Sequence, residues 1–588
     1  MASQACTVAA TGLSQRWLVD TALGDDVTGV LAAVAVGALA FGLATAGGRI
    51  QSIMLLYLID RVQVALSQEI HHFSAAIPTV DHLERPDYLD RLERLRSATW
   101  ALASSCWQIA SAVAATVSLA ATAVLLGGVY PALCLLTAFA LPSVLTTRRS
   151  AWIVQNALDA DAQLNRCEQR LHDLCLSAEA GKELSVSGAA AELDRRADAA
   201  WHSVTTQRVR ARCRAGGWDL LGWCCFAAGF CGALLLVGWR VAAGQATVGE
   251  AVLVISLATQ LQAQFGQVVR EIGQVAAAGH VIDHYAWLRA YTVGHRRTGG
   301  SPPGRLAHGI RFSGVSFRYP GAERDVIKDL DLWLPVGMKV AVVGENGAGK
   351  TTLVKLLSGL YEVTRGSILV DGQQLRDLDP AAWRARISAV YQDFARYQFR
   401  LRECVGVGDL SRLHDEKAVA AALDRAGARD LRTEWPRGLE AQLGPVFGGI
   451  EPSIGQWQKL ALARGLMRRE PLITILDEPT ASLDPQAEHD LFVGFAADQT
   501  AVSTGRITVF VSHRFSTVRM ADLIVVLSDG RIAELGSHRQ LMALKGLYAD
   551  MYGVQADVYI DGLRAASGAD RSGNGRRLRT PDRLSHDE

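Results

Sequence analysis

From Val27 to Gly47 the chain runs for about twenty residues without a charge, mostly Ala, Val, Leu and Gly. As a helix, that length crosses roughly 30 Å of hydrocarbon. Four more runs share the pattern: Ala101–Leu126, Val129–Leu145, Trp218–Trp239 with Asp219 at its edge, and Thr247–Gln267, softened by Gln260, Gln262 and Gln264. The uncharged pair Gly127-Gly128 reads as a tight turn between the second and third. One such run also suits a buried helix of a soluble protein; five in the first half of a chain read as a membrane domain. With 588 residues, two or more domains are expected.

Basic residues beside the runs orient them. Arg148 and Arg149 follow the third, Arg208, Arg210, Arg212 and Arg214 precede the fourth, and Arg85, Arg91, Arg94 and Arg96 lie between the first two. Those segments face the cytoplasm; Asp25, Asp26 and the Gly127-Gly128 turn face outward. An odd number of spans places the amino terminus outside, and no cleavable signal pattern occupies Met1–Leu18. A first helix is therefore expected to be missing, or reduced to a stub in Gln4–Leu18. The segments Leu58–Trp100 and Thr147–Ala215 are too long for simple connections, and their periodicity predicts membrane helices continuing past the bilayer. Pro86 suits a helix start, with Tyr88, Leu89, Leu92 and Leu95 on one stripe, and Lys182-Glu183-Leu184 precedes the turn-prone Ser185–Gly188. These tips are either solvated hairpins or points that press on a second domain.

Charge is balanced at +1, so no nucleic-acid surface is expected. The ten cysteines show no C-x-x-C pairs; buried thiols are predicted, with neither zinc ligands nor a disulfide framework. Tyr291–Gly309, with Gly299-Gly300-Ser301-Pro302-Pro303-Gly304, reads as a linker. The organisation expected is a transmembrane domain over 1–290 with long cytoplasmic extensions, a linker over 291–309, an α/β domain over 310–553 and a polar, disordered tail over 554–588.

That α/β domain carries the chemistry. Gly344-Glu345-Asn346-Gly347-Ala348-Gly349-Lys350-Thr351 follows the apolar run Lys339–Val343 and fits the phosphate-binding loop. Its glycines let main-chain N–H groups turn toward phosphate oxygens, Lys350 can reach the β- and γ-phosphates, and the Thr351 hydroxyl can hold Mg²⁺. A helix over Thr352–Leu360 would aim its positive end at the same phosphates. Leu472–Leu476 is an apolar strand ending in Asp477 and Glu478; Asp477 can hold Mg²⁺ through water, and Glu478 can take a proton from an attacking water. A further strand, Val509–Val511, leads to Ser512 and His513, within reach of a γ-phosphate.

Together these residues resemble the ATP-binding cassette transporter family, specifically exporters with fused membrane and ATPase domains, over about 530 residues. The resemblance implies an all-α transmembrane helical bundle of ABC exporter type followed by an α/β P-loop NTPase cassette, with ATP and Mg²⁺ as cofactors. It implies that Tyr319 stacks on adenine and that Gln392 binds Mg²⁺ and senses the membrane domain. It also implies that Asp484, in Ser482-Leu483-Asp484, crosses between two cassettes and that His513 is the switch histidine. The implied partners are a second half-transporter, membrane lipid and an exported substrate, with no nucleic acid. The tips near Pro86–Leu95 and Lys182–Gly188 resemble coupling helices. Where the family signature reads Leu-Ser-Gly-Gly-Gln, this chain has Pro452-Ser453-Ile454-Gly455-Gln456. Ser453, Gly455 and Gln456 would cap the γ-phosphate of ATP on the opposite cassette. Ile454 adds a branched side chain where the family has none, so close approach or a positive φ would be costly. A heterodimer with one slow site, or a homodimer that tolerates Ile, follows from this departure.

Phe394-Ala395-Arg396-Tyr397 and Gly455-Gln456-Trp457-Gln458 are similar to exporters of ribosomally made modified peptides, including lanthipeptides. Lipid or hydrophobic drug export is the second cargo expectation. A non-transporting or truncated membrane ATPase regulator is the reading from another class; soluble cassette ATPases that act on ribosomes or DNA lack such apolar runs.

Overall fold

The computed structural model describes residues 2–97, 99–160, 162–479, 505–512 and 514–554. The chain divides into two compact units, one of Met1–Ser74 with Arg91–Ala290 and the other of Ala75–Asp90 with Tyr291–Glu588.

The first unit is helical: α1 (Ala2–Leu23), α2 (Val27–Ala75), most of α3 (Pro86–Ser97), α4 (Thr99–Val129), α5 (Leu135–Ala160), α6 (Ala162–Leu176), α7 (Ala178–Ser187), α8 (Ala190–Ala242) and α9 (Val248–His295). Among the described residues, five of its helices are long and apolar enough to cross a membrane, at the five predicted runs. The 49 residues of α2 and 53 of α8 make helices about 70–80 Å long, well beyond a bilayer's thickness. α8 packs on α5 through glycines: a Cβ on Gly222 would stand 2.3 Å from Thr146 Oγ1, and one on Gly229 2.5 Å from Phe139 Cγ. Small residues at this spacing let two helix backbones approach where hydrophobic collapse offers no drive.

Three expectations are corrected here. Instead of a stub, α1 is a 22-residue helix, with Gly12 against Leu253 and Leu257. The polar residues that interrupt its apolar pattern are paired with α9: Arg16 bonds Glu250 at 3.0 Å, and Asp20 accepts from the Gly249 amide at 3.1 Å. The turn expected at Gly127-Gly128 lies later, because α4 continues through Val129. Pro131 cannot extend a helix and holds Tyr130 extended, so the break falls there. Gly127 instead makes room for the returning chain, since a Cβ would lie 2.7 Å from Cys134 Sγ. The cysteines are mostly not buried: Cys404 is, but Cys106, Cys134, Cys167, Cys175, Cys213, Cys224 and Cys231 are exposed. An apolar run on a membrane helix has an outward face, which lipid rather than protein would cover.

The second unit holds two sheets. An antiparallel one has the order β2-β1-β4-β5, from β1 (Gly309–Phe317), β2 (Ile327–Pro335), β4 (Arg365–Val370) and β5 (Gln373–Gln374). The other has the order β10-β9-β3-β8-β7-β6, from β3 (Lys339–Gly344), β6 (Ile387–Val390), β7 (Ile473–Asp477), β8 (Ile507–Val511), β9 (Leu523–Ser528) and β10 (Arg531–Gly536). It is parallel except for the β9–β10 pair. Its inner strands read as continuous apolar runs because both faces are covered.

Residues Ala75–Asp90, between two candidate spans, belong to this second unit. The Val80 amide donates to Leu360 O at 3.0 Å, Arg384 Nη1 donates to Pro78 O at 2.7 Å, and the Tyr361 hydroxyl donates to Glu84. The contact is thus centred on Pro78–Glu84, before the predicted Pro86–Leu95 tip. Pro86 does begin α3. Tyr88 turns inward, 2% exposed, between the rings of His82 at 4.8 Å and Tyr291 at 5.4 Å. Burial holds the His82 imidazole below its ordinary range, outweighing the Asp81 carboxylate beside it. The stability such a histidine contributes is present above its ordinary pKa and lost as pH falls through the lowered value. Moving from about pH 7.5 to about pH 5 should therefore loosen residues 75–90. Hydrogen exchange there, corrected for intrinsic rate, is expected to rise in wild type and to stay level in His82→Phe.

Candidate nucleotide site

The site sits at the carboxyl ends of the parallel strands, where an open α/β sheet binds ligands. β3 lies between β8 and β9, and the loop that leaves it must turn sharply under α10 (Lys350–Leu357). Two glycines make that possible. Gly344 has φ 152°, and a Cβ there would lie 2.2 Å from Leu527 O; Gly349 has φ 100° and would meet Ile327 Cδ1 at 2.7 Å. Asn346, Gly347 and Ala348 complete the turn, with the Ala348 amide bonded to Glu345 O at 3.2 Å. α10 starts at Lys350, two residues before the predicted Thr352, and ends at Leu357 with Gly359 in the left-handed region just beyond.

Lys350 is nearly buried, and its ammonium donates to the carbonyls of Gly344 and Glu345 at 2.9 Å each. Burial lowers its pKa, while Glu478 and Asp477 act in the other direction. A phosphate oxygen could replace either carbonyl as acceptor. Thr351 follows at the head of the helix, and the Thr352 hydroxyl lies 3.0 Å from the Tyr319 hydroxyl. Tyr319 stands edge-on to Phe317 and Tyr361, with centroids at 4.9 and 5.3 Å.

Two strands from β3, β7 ends in Asp477, 0% exposed. Burial raises this carboxyl to about 6, against the pull of the Thr351 hydroxyl toward the charged form; Glu478 and Asp393 raise it further. Neither carboxylate oxygen has a hydrogen bond of standard geometry among the described residues. Buried carboxylate oxygens without a well-aligned donor suit a cation. The described residues contain no group of three or more His, Cys, Asp or Glu that could hold a metal. A magnesium ion here would be held by Asp477, Thr351 and Gln392 with nucleotide oxygens completing its shell, the usual arrangement for that ion. Glu478 has φ 46°, a strained position for a side-chain-bearing residue, which turns it out of the sheet. Gln392 Nε2 donates to Glu478 Oε2 at 2.8 Å. The predicted Lys350, Thr351, Gln392, Asp477 and Glu478 are thus drawn together at the strand ends.

The signature segment is placed differently. Ser453 caps the helix Ile454–Gly465: its hydroxyl accepts from the Gln456 amide at 3.3 Å, and Gln456 Oε1 accepts from the Ser453 amide at 2.9 Å. Among the described residues no hydrogen bond joins Ser453 or Gln456 to the phosphate loop. Ile454 opens the helix, is 61% exposed and is not among the residues of positive φ. The positive φ that would make Ile454 costly is therefore absent, because the first turn of a helix accepts a branched side chain pointing to solvent. Asp484 and His513 lie outside the described residues.

Sequence reasoning gave no role to Gln458, which is 4% exposed and donates to Glu478 O at 3.3 Å. It ties the signature helix to the strained turn; its only sequence signal was a polar residue on the apolar face of a helix. Gln458→Leu, which keeps the volume and removes the donor, is expected to lower kcat for ATP hydrolysis about tenfold with nucleotide binding little changed. Turnover with a titration of a fluorescent ATP analogue checks this.

Residues 327–481 match the family model for the ABC transporter domain. The subtilin transport ATP-binding protein SpaT of Bacillus subtilis is 39% identical over 245 residues, 42% of this chain and 39% of that protein. The nisin transport ATP-binding protein NisT of Lactococcus lactis subsp. lactis is 37% identical over 244 residues, 41% and 40% of the two chains. The mitochondrial iron-sulfur clusters transporter ATM1 of Gibberella zeae is 34% identical over 339 residues, 57% and 47%. This chain therefore spans less than half the length of these relatives. A bacterial Atm1-family ABC exporter with ATP bound shares the fold, with a TM-score of 0.74 at 23% identity over 94% of this chain and 96% of that one. With five helices able to cross a bilayer, the chain is a multi-pass membrane protein. Its phosphate loop, paired carboxylates and signature helix lie in an ABC transporter ATP-binding domain, within a chain that has the ABC exporter fold.

Proposed function

We propose that this chain is one half of an ATP-driven exporter that works as a dimer and moves a peptide out of the cytoplasm, hydrolysing ATP as it does so. The observation that carries the reading is that residues 75–90, lying between two candidate spans, fold with the ATPase unit through Val80, Glu84 and Pro78. A change at the nucleotide site then has a covalent path into α2 and α3.

In this reading Tyr319 stacks on adenine, the Gly344–Thr352 loop cradles the phosphates, and Lys350 neutralises charge at the β- and γ-phosphates. Magnesium, when bound by Thr351, Gln392 and Asp477, supplies charge neutralisation between the phosphate oxygens. Glu478 accepts a proton from the attacking water while Gln392 holds its carboxylate in place, and His513 contacts the γ-phosphate. Ser453, Gly455 and Gln456 of one chain cap the nucleotide held by the other, with Asp484 crossing between them. Closure is stabilised only while the γ-phosphate is intact, so binding and hydrolysis shift the membrane helices between two states. The exposed, unstrained Ile454 favours a working signature over a crippled one.

The names of SpaT and NisT support a peptide cargo. An ATP-dependent lipid A-core flippase of Methylobacillus flagellatus, 36% identical over 278 residues, keeps lipid export as the second reading.

Glu478→Gln in the purified assembly is expected to cut ATP hydrolysis at least about a hundredfold; substantial residual turnover would show a second active site not built on Glu478. Uptake of a lanthipeptide into inverted membrane vesicles should require ATP and vanish in Lys350→Ala, and uptake of a fluorescent lipid in its place would favour the second reading. Tyr361→Phe and Glu84→Ala should each uncouple peptide from ATPase stimulation while sparing basal turnover, with Glu84→Gln partly restoring it; equal loss of basal turnover would argue against coupling through this pair.

A further inference from the structure

The buried face of α4 is polar: Ser104, Gln108, Ser111, Ser118 and Thr122 recur at three- and four-residue spacing, with Ala115 between them. α4 itself carries no charge. Opposite it, Gln264 Nε2 of α9 donates to Ser118 Oγ at 2.9 Å, and Ser111 Oγ donates to Glu271 Oε1 at 3.0 Å. Seven residues forward on α4 correspond to seven back on α9, the register of antiparallel helices that face each other. Glu271 is the sole acidic residue of α9 between Glu250 and Asp283.

The seam does not close its own hydrogen bonds. Gln108 Nε2 is used by Ser104 Oγ at 2.7 Å, and Gln264 Nε2 by Ser118. The carbonyl oxygens of Gln108, Gln264 and Gln260 are buried and lack a donor among the described residues. Gln108 and Gln264 are only 5% and 8% exposed. Polar side chains that merely hold membrane helices together satisfy one another, since an unmade bond is costly in hydrocarbon. Here the spare acceptors of Gln108 and Gln264 and the carboxylate of Glu271 share a seam, while Arg270, next to Glu271 in the chain, is exposed. An ionisable residue placed among helices of this kind marks a path for polar cargo.

We infer that the α4–α9 seam lines the cargo path and that this path is acceptor-rich and electronegative, selecting groups that bring N–H donors and positive charge, such as lysine-bearing peptide segments, over anionic lipid headgroups. The inference rests on the export reading and deepens it by naming the cargo's chemistry.

Thiol accessibility tests it in the full chain without a known cargo. In a variant with all native cysteines replaced by serine and ATPase activity retained, Ser118→Cys is exposed to a trimethylammonium methanethiosulfonate and to its sulfonate counterpart, each rate normalised to a free thiol. Ala115→Cys, on the same face, is the second position. The cationic reagent should react about tenfold faster, Glu271→Gln should remove most of that preference, and MgATP with vanadate should change the rates. No reaction at either position with or without nucleotide would overturn the inference and leave the seam as helix packing. Faster reaction with the sulfonate would overturn it in favour of an anionic cargo, and an unchanged preference in Glu271→Gln would remove Glu271 as its source. Rates that keep the charge preference but ignore nucleotide would leave the seam's chemistry standing and overturn the export reading instead.

Discussion

A carboxylate sealed from water at the end of a buried strand is the constraint around which the cassette is built. β7 lies between β6 and β8, every residue from Ile473 to Asp477 is buried, and so Asp477 cannot be solvated. Its pKa of about 6 records that cost, and Lys350, Thr351 and a bound cation are the groups that can offset it. The next residue has the opposite environment. At φ 46° Glu478 leaves the sheet, becomes half-exposed and meets Gln392, so two adjacent carboxyls become suited to two tasks, one holding a cation and one a proton.

The strained turn is held from several sides. The Glu478 amide donates to Val511 O at 3.1 Å, Gln458 reaches its carbonyl from the signature helix, and Gln392 holds its side chain. On the other side of the loop, Tyr319, Phe317 and Tyr361 form an edge-to-face cluster that runs from Thr352 to Glu84. Residues 75–90 therefore rest on a rigid aromatic group that also borders the predicted adenine position. Burial of Trp383, whose indole N–H donates to Leu357 O, fixes α10 against the helix Pro380–Ala385 that carries Arg384.

Much of this was legible before folding, for a physical reason: phosphate binding by a loop uses contiguous main-chain amides, so its residues must be neighbours in sequence. Gly344–Thr351 and the Asp477-Glu478 pair are of that kind, and so are runs long enough to cross a bilayer. The start of α3 at Pro86 was readable because proline acts within one helical turn. Contacts between distant segments were not. Gln458 is 20 residues from Glu478 and Tyr361 is 277 from Glu84, and no local pattern announces either. The odd count of apolar runs suggested a missing helix or a stub before Val27; that α1 is a full helix rests on partners of Arg16 and Asp20 more than 200 residues away.

The sequence by itself determined which segments are membrane helices, where the phosphate loop lies and which carboxylates stand at a strand end, because periodicity, charge and adjacency act over a few residues. Tertiary structure alone decided that Pro78–Glu84, ahead of the Pro86 helix start, carries the hydrogen bonds to Leu360, Tyr361 and Arg384, that Ile454 has an ordinary φ, and that Gln108 and Gln264 are buried with acceptors to spare. Those outcomes depend on which surfaces meet, and burial, not composition, sets whether a polar atom has water, a partner or neither.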